Sequence, residues 1–171
     1  MPLRFELIES ASSKLWNYGW FDRSRFKVEG PEAERRDWRA VLDAFLLDPL
    51  SRRSYCKRPD PWGSGNDHHG PYARGRPRAE SYRELSAAEL RERVRGILDD
   101  PEFTCPPSSE QRGVIEDWLE DHAGRRDVAS LLEEPLAPDA LWEPAVWLLF
   151  HEFACFSAER AELSIVVIGM D

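Results

Sequence analysis

The chain has 171 residues, of which 42% are hydrophobic and 32% charged, with seven tryptophans and a formal net charge of −9. Wholesale disorder is excluded, because disordered chains have few aromatic residues and little apolar surface to bury. A membrane-spanning helix and a disulfide-stapled secreted domain are also disfavoured, since no segment has roughly 20 consecutive apolar residues and the three cysteines lack paired spacing.

The first predicted elements are two strands. Apolar and polar residues alternate across residues 3–9, as in a half-buried strand, and Ser12 and Ser13 are expected to end it. A second strand is predicted across residues 20–28.

A helix is predicted next, over residues 31–48. Proline is preorganised for the first helical position, so Pro31 marks its start, and the Asp48-Pro49 pair ends it. Its apolar side chains recur at helical spacing and form one stripe: Trp38, Val41, Leu42, Phe45 and Leu46.

Residues 51–79 form a segment of different character. They contain four glycines and four prolines, and seven Arg/Lys against two Asp give a net charge of +5. Glycine and proline sustain neither helix nor sheet, so this sequence predicts a long basic loop at about residues 50–80.

Two further helices follow the loop. Ser86 and Glu89 form a capping-box pattern at the start of one helix, and Ser108 and Gln111 form a second at the start of the next. A short helix is then predicted over residues 128–134.

The C-terminal segment is predicted to be a β-hairpin. Its strands are expected at residues 146–156 and 162–169, and the second is a central strand because residues 163–168 are rich in β-branched side chains. A buried helix over residues 146–156 is the alternative, because that stretch is apolar on nearly every side.

Together these elements predict an α+β fold in a single domain spanning residues 1–171. N-terminal strands and a C-terminal hairpin enclose three to four central helices. Because residues 1–6 lack the apolar core of a signal peptide, we expect a cytoplasmic protein.

The basic loop contains the sharpest short motif in the chain. Arg74-Gly75-Arg76-Pro77-Arg78 resembles the core of an AT-hook, a short segment that lies in the minor groove of A·T-rich DNA. Arginines flanking a slender backbone suit the negative potential of a narrow groove. The resemblance implies possible nucleic-acid contacts through Arg74, Arg76 and Arg78; a solvated basic loop is the alternative.

The N-terminal residues carry a second resemblance. Residues 4–9 followed by Ser12-Ser13-Lys14-Leu15-Trp16 are similar to the first strand and turn of WGR domains, a nucleic-acid-associated module. The Trp-Gly-Arg signature of that family is absent, so the resemblance implies a shared strand and turn and no transferred contacts.

Metal-binding and catalytic patterns are incomplete. Asp67-His68-His69 is the tightest group of possible ligands, but no second spaced pair completes a tetrahedral set. In the stretch of residues 151–155, Cys155 stands where a zinc-protease helix would place its second histidine. His151 and Cys155 form a conceivable base and nucleophile, although a buried structural role suits Cys155 better.

No P-loop, nucleophile elbow or dinucleotide-binding motif occurs. We therefore predict no catalytic residue, no metal site and no cofactor. A small hydrolase or metal enzyme with an unrecognised site is the least favoured of three function classes.

Acidic residues concentrate toward the C-terminus. Residues 101–171 contain fifteen Asp/Glu against four Arg, a net of −11. The helix near residues 110–122 combines acidic and aromatic residues that could bind a basic partner: Glu116, Asp117, Trp118, Glu120 and Asp121. Carboxylates speed capture and desolvated aromatics strengthen it, whereas the structural alternative is a solvated acidic helix with a core tryptophan.

In size, acidity and tryptophan content the chain resembles bacterial toxin-immunity (antitoxin-like) proteins. The resemblance implies an acidic inhibitor that neutralises a cognate toxin by stoichiometric occlusion, its acidic residues meeting Lys and Arg on the toxin. A DNA-associated accessory protein that uses the basic loop is the alternative, and no membrane partner is predicted.

Overall fold

The computed structural model describes residues 2–15, 19–51, 68–73, 75–100, 106–123, 127–135 and 149–170; of residues 121–123 it describes the backbone alone. Within these ranges, no helix is both long and apolar enough to span a membrane.

The described residues form eight strands and four helices. In chain order they are β1 (Arg4–Lys14), β2 (Gly19–Glu29), α1 (Glu32–Arg36), α2 (Trp38–Leu47), β3 (His68–His69), β4 (Tyr72–Ala73), β5 (Tyr82–Leu85), α3 (Ala87–Leu98), α4 (Ser109–Ala123), β6 (Val128–Leu132), β7 (Leu149–Ser157) and β8 (Glu162–Met170). Short 3₁₀ turns at Pro49–Ser51 and Ala79–Ser81 follow α2 and precede β5.

Six of the strands form one antiparallel sheet in the order β1-β2-β8-β7-β6-β5, and β3 pairs with β4 in a separate hairpin. The predicted C-terminal hairpin is confirmed, because β7 and β8 pair along their whole length at the centre of the sheet. Residues 149–156 are therefore strand and not helix, whereas residues 146–148 lie outside the described ranges. The fold is the predicted mixed α+β.

Helices pack on both faces of the sheet. Successive strand side chains point to opposite faces, so a strand buried on both sides is apolar throughout. In β8, Ile165 and Val167 pack with α2, whereas Val166 and Ile168 pack with α3 and α4. We call these two sides the α2 face and the α4 face.

The predicted helix of residues 31–48 is divided in two by Asp37. Its carboxylate accepts hydrogen bonds from the backbone N–H groups of Arg39 and Ala40, at 3.0 and 3.4 Å, and thereby caps α2. The predicted apolar stripe is confirmed, and its buried members on α2 are Val41, Leu42, Phe45 and Leu46.

Both predicted capping boxes are present. The backbone N–H of Ser86 donates to the Glu89 carboxylate at 2.7 Å, and the N–H of Glu89 donates to the Ser86 hydroxyl at 3.2 Å. Ser108 and Gln111 make the matching pair of bonds at 2.8 and 3.3 Å before α4. These local signals set the starts of both helices as the sequence predicts.

Strand β1 is longer than predicted. The strand continues through Ser12 and Ser13, which pair with Asp22 and Phe21 of β2. Pairing uses the backbone alone, so serines on an edge strand can expose their hydroxyls without interrupting the ladder. The predicted break at these residues is therefore wrong, and the predicted second strand is confirmed by β2.

The short helix predicted over residues 128–134 is also wrong. Residues Val128–Leu132 form β6, which pairs with β5 on one side and β7 on the other. A run of five residues is too short for its apolar spacing to distinguish a helix from a strand. Hydrogen bonding to a strand on each side then outweighs the local preference of these residues.

The predicted basic loop contains some regular structure. Within residues 51–79, β3 and β4 form a tight hairpin around Gly70, whose positive φ of 55° suits a turn. Residues 52–67 and Arg74 lie outside the described ranges, so the loop prediction stays untested for them.

Candidate functional site

The acidic residues predicted to bind a partner lie on α4, which packs on the α4 face of the sheet. Asp117 and Glu120 are exposed, and Glu116 is partly exposed. The side chain of Asp121 lies outside the described part of the structure. We call Glu116, Asp117 and Glu120 the acidic surface of α4.

Trp118 does not belong to this surface. Only 2% of the residue is exposed, and its ring packs edge-on against Phe21 of β2 with the centroids 5.8 Å apart. The ring is therefore part of the core, as the alternative interpretation of this residue holds, and it offers no exposed aromatic anchor.

Arginines of α3 pair with two residues of the acidic surface. Arg95 forms a bidentate ion pair with Glu116: its Nε and one terminal nitrogen donate to the carboxylate at 3.2 and 3.1 Å. Glu116 raises the pKa of Arg95 by this hydrogen bonding and by its charge. Arg91 lies 3.9 Å from the carboxylate of Glu120, whose side chain is 71% exposed, so that contact is loose.

The AT-hook-like segment is only partly described, since Arg74 lies outside the described ranges. Arg76 and Arg78 are exposed, but Pro77 between them is buried and a 3₁₀ turn begins at Ala79. Minor-groove insertion needs an extended peptide that stands clear of the body. Because Pro77 is buried, the described half of the motif does not stand clear of the body, so the structure adds no support to the DNA-binding alternative.

A buried polar cluster that the sequence did not predict joins β3 to the centre of the sheet. Nε2 of His69 lies 2.9 and 2.8 Å from the two carboxylate oxygens of Glu152 on β7. Nδ1 of His69 lies 2.8 Å from the backbone oxygen of Ser51, and the hydroxyl of Tyr82 donates to Glu152 at 2.5 Å. The cluster thus connects four segments distant in sequence.

Its geometry specifies which ring nitrogen of the histidine carries a proton. A carbonyl oxygen can only accept a hydrogen bond, so Nδ1 of His69 carries a proton, and Nε2 faces a carboxylate. Burial lowers the pKa of His69, but the charge and hydrogen bond of Glu152 and the bond to Ser51 outweigh burial and raise it above its ordinary value. The raised pKa favours the imidazolium form of His69 opposite the Glu152 carboxylate.

This cluster is suited to holding segments together. Only 4% of His69 and 0% of Glu152 are exposed, so the pair is enclosed by the α2-face core. Its signal in the sequence was a single carboxylate inside an apolar strand. Buried charges are almost always paired, so a partner for Glu152 could be expected, but the spacing of residues in the sequence does not identify it.

The candidate catalytic pair does not come together. His151 and Cys155 both point to the α4 face, but four residues along a strand separate them by about 13 Å. Burial and Arg93 lower the pKa of His151 to about 4, and Cys155 is fully buried, as predicted. Because this stretch is strand, the helical spacing of a zinc protease does not occur.

Of the possible metal ligands Asp67, His68 and His69, Asp67 lies outside the described ranges, and His68 and His69 are buried. The described residues contain no group of three His, Cys, Asp or Glu side chains placed to hold a metal ion.

No family model, curated protein or solved structure matches this chain.

Proposed function

We propose that the protein is an acidic inhibitor of the immunity-protein type, which captures a basic partner protein on the acidic surface of α4. The observation that carries the proposal is the exposure of Asp117 and Glu120 side by side on a helix whose other face is fixed in the core.

The charge of this region supports the proposal. Residues 106–123 contain five acidic side chains against one arginine, a net of −4. Arg95 neutralises Glu116, but among the described residues no cation pairs with Asp117, and Glu120 has a loose contact with Arg91 and a longer-range attraction to Arg95. Two carboxylates therefore keep most of their field available to an approaching Lys or Arg.

The anchoring of α4 also supports it. Ile115, Trp118 and Leu119 are buried beneath the helix, and the Gln111 side chain donates to the backbone oxygen of Lys14 at 2.9 Å. A helix fixed in this way presents its carboxylates with little further loss of entropy on binding, which favours affinity.

In this mechanism the acidic surface steers the partner by long-range attraction and then covers its basic site stoichiometrically. Association of this kind is fast at low salt and slows as salt screens the charges. Side chains that become buried between the two proteins would then set how slowly the complex dissociates.

Asp117→Asn/Glu120→Gln should weaken capture of a basic partner, because it removes both exposed charges and keeps the side-chain shapes. The purified protein is mixed with the product of its neighbouring gene, the expected partner of an immunity protein, and co-elution and association rate are measured at low and high salt. We expect at least a tenfold slower association at low salt for the variant, and a smaller difference at high salt.

The matched control is Glu32→Gln/Glu34→Gln, which removes the same formal charge from exposed positions on α1. This control should associate within twofold of the unmutated rate. Failure to co-elute at low salt, or equal slowing by both double variants, would overturn the proposed surface.

A further inference from the structure

A small polar cleft opens between α4 and the first strands of the sheet, on the α4 face. Its volume is about 180 Å³. Its polar lining comes from Arg23 and Arg25 of β2, Ser164 of β8 and Glu9 of β1, and its apolar lining comes from Trp118 and Val166.

Among the described residues, the hydroxyl of Ser164 and the Nε groups of Arg23 and Arg25, which all line this cleft, have no hydrogen-bond partner. The hydroxyl of Ser164 is buried, with 2% of the residue exposed, and makes no hydrogen bond. Nε of Arg23 is also buried without an acceptor, and its guanidinium is instead placed 5.4 Å from the ring of Phe21. Groups of this kind are costly to leave unpaired, so a polar ligand that bonds to them would be stabilised in this cleft.

Arg25 differs from Arg23 in already having acidic partners. Its terminal nitrogens lie 3.2 Å from Glu9 and 4.0 Å from Glu162. Among the described residues Arg23 has no acidic partner, so it is the arginine of this cleft whose charge is not already paired, and a planar guanidinium can bind two oxygen atoms of one planar anion.

The local charge selects between classes of anion. Two arginines against Glu9 and Glu162 sum to zero, so a singly charged ligand leaves the site at −1 and a doubly charged phosphate leaves it at −2. The side walls formed by Trp118 and Val166 favour a ligand with a short apolar stem. Both arguments favour a monocarboxylate over a phosphate.

We propose that this cleft is a binding site for a small carboxylate, whose oxygens accept hydrogen bonds from Arg23 and from the Ser164 hydroxyl while its stem packs on Trp118. The site is separate from the acidic surface of α4 and does not depend on the proposed inhibitor function. Its ligand is either a free short-chain acid or the side chain of a glutamate on another protein.

The test is a titration followed by NMR chemical shifts of the tryptophan indole and arginine Nε groups at constant ionic strength. The probes are propionate, a glutamate with both backbone ends blocked, the equally blocked glutamine, and inorganic phosphate. We expect saturable binding of one or both carboxylates, with a Kd on the order of 1 mM for so small a ligand, and no saturation by blocked glutamine or phosphate.

Two variants and a control make the site assignment specific. Arg23→Gln should weaken carboxylate binding at least tenfold, and Ser164→Ala, a small change that preserves the strand, should weaken it several-fold. Arg4→Gln removes an exposed arginine from β1 outside the cleft and should leave binding unchanged.

The outcomes separate cleanly. Tighter binding of propionate supports a free acid as the ligand, and tighter binding of blocked glutamate supports a protein side chain. Saturation by phosphate alone, equal weakening by Arg4→Gln and Arg23→Gln, or no saturable carboxylate binding would overturn the proposal.

Discussion

Glu152 has the most unusual environment of the described carboxylates, because its side chain is fully buried at the centre of the sheet. It accepts hydrogen bonds from His69 and Tyr82, and His69 in turn donates to the backbone of Ser51. A buried pair of this kind adds little net stability relative to an apolar core, but removing one partner leaves an unpaired charge. Its contribution therefore lies in fixing which segments meet.

Glu152→Gln should lower the free energy of unfolding by about 3 kcal/mol at pH 6, because it leaves a buried histidine without its counter-charge. Chemical denaturation followed by circular dichroism measures this loss. The control is Glu133→Gln, which breaks the exposed Arg83–Glu133 pair and should have no measurable effect.

The same pair predicts a pH dependence. The pKa of His69 is raised in the folded state, so its stabilisation is fully present below the ordinary histidine pKa of about 6.5 and is lost as pH rises through the folded value. The difference in stability between the unmutated protein and Glu152→Gln should therefore shrink as pH rises through this range. A difference that stays constant or grows would contradict a charged His69.

At the scale of elements, helix starts are governed by local chemistry. The Ser86–Glu89 box satisfies two backbone N–H groups at the start of α3 without help from the rest of the fold. The hydrogen bonds from the backbone and hydroxyl of Ser86 also lower the pKa of Glu89. Such an element should respond to a change in its cap alone.

Ser86→Ala should lower the free energy of unfolding by about 1 kcal/mol, because it removes the side-chain acceptor of the capping box. Thermal and urea unfolding measure the change. Ser86→Asp restores an acceptor at the same position and should recover most of the loss; equal losses in both variants would show that the cap is not the cause.

At the scale of the whole molecule, one sheet separates two hydrophobic layers. Central strands β7 and β8 supply side chains to both layers, so loss of either layer would expose apolar side chains of the same strands. Phe153 and Ala154, for example, are adjacent in sequence and pack on opposite faces. This sharing predicts that the described body unfolds as one cooperative unit.

Leu42→Ala on α2 and Leu119→Ala on α4 test that cooperativity, since both side chains are fully buried in different layers. Each should lower stability by about 2–5 kcal/mol through a cavity and lost burial. Circular dichroism and tryptophan fluorescence should still report one coincident transition. Two separated transitions in either variant would show that the layers unfold independently.

The sequence by itself determined the features that depend on neighbours along the chain. Both capping boxes, the apolar stripe of α2 and the β-branched strand β8 follow from contacts within a few residues, which spacing and residue type specify. The α+β class and the C-terminal hairpin follow from the same local evidence.

Only the tertiary structure decided the features that depend on partners far along the chain. Residues Val128–Leu132 are a strand because β5 and β7 lie on either side, and Trp118 is a core residue because β2 lies beneath it. Glu152 meets His69, which lies 83 positions away, and Arg23 meets Ser164 in a cleft that no local pattern contains. Long-range pairing sets which groups share an environment, and that environment sets burial, charge and pKa.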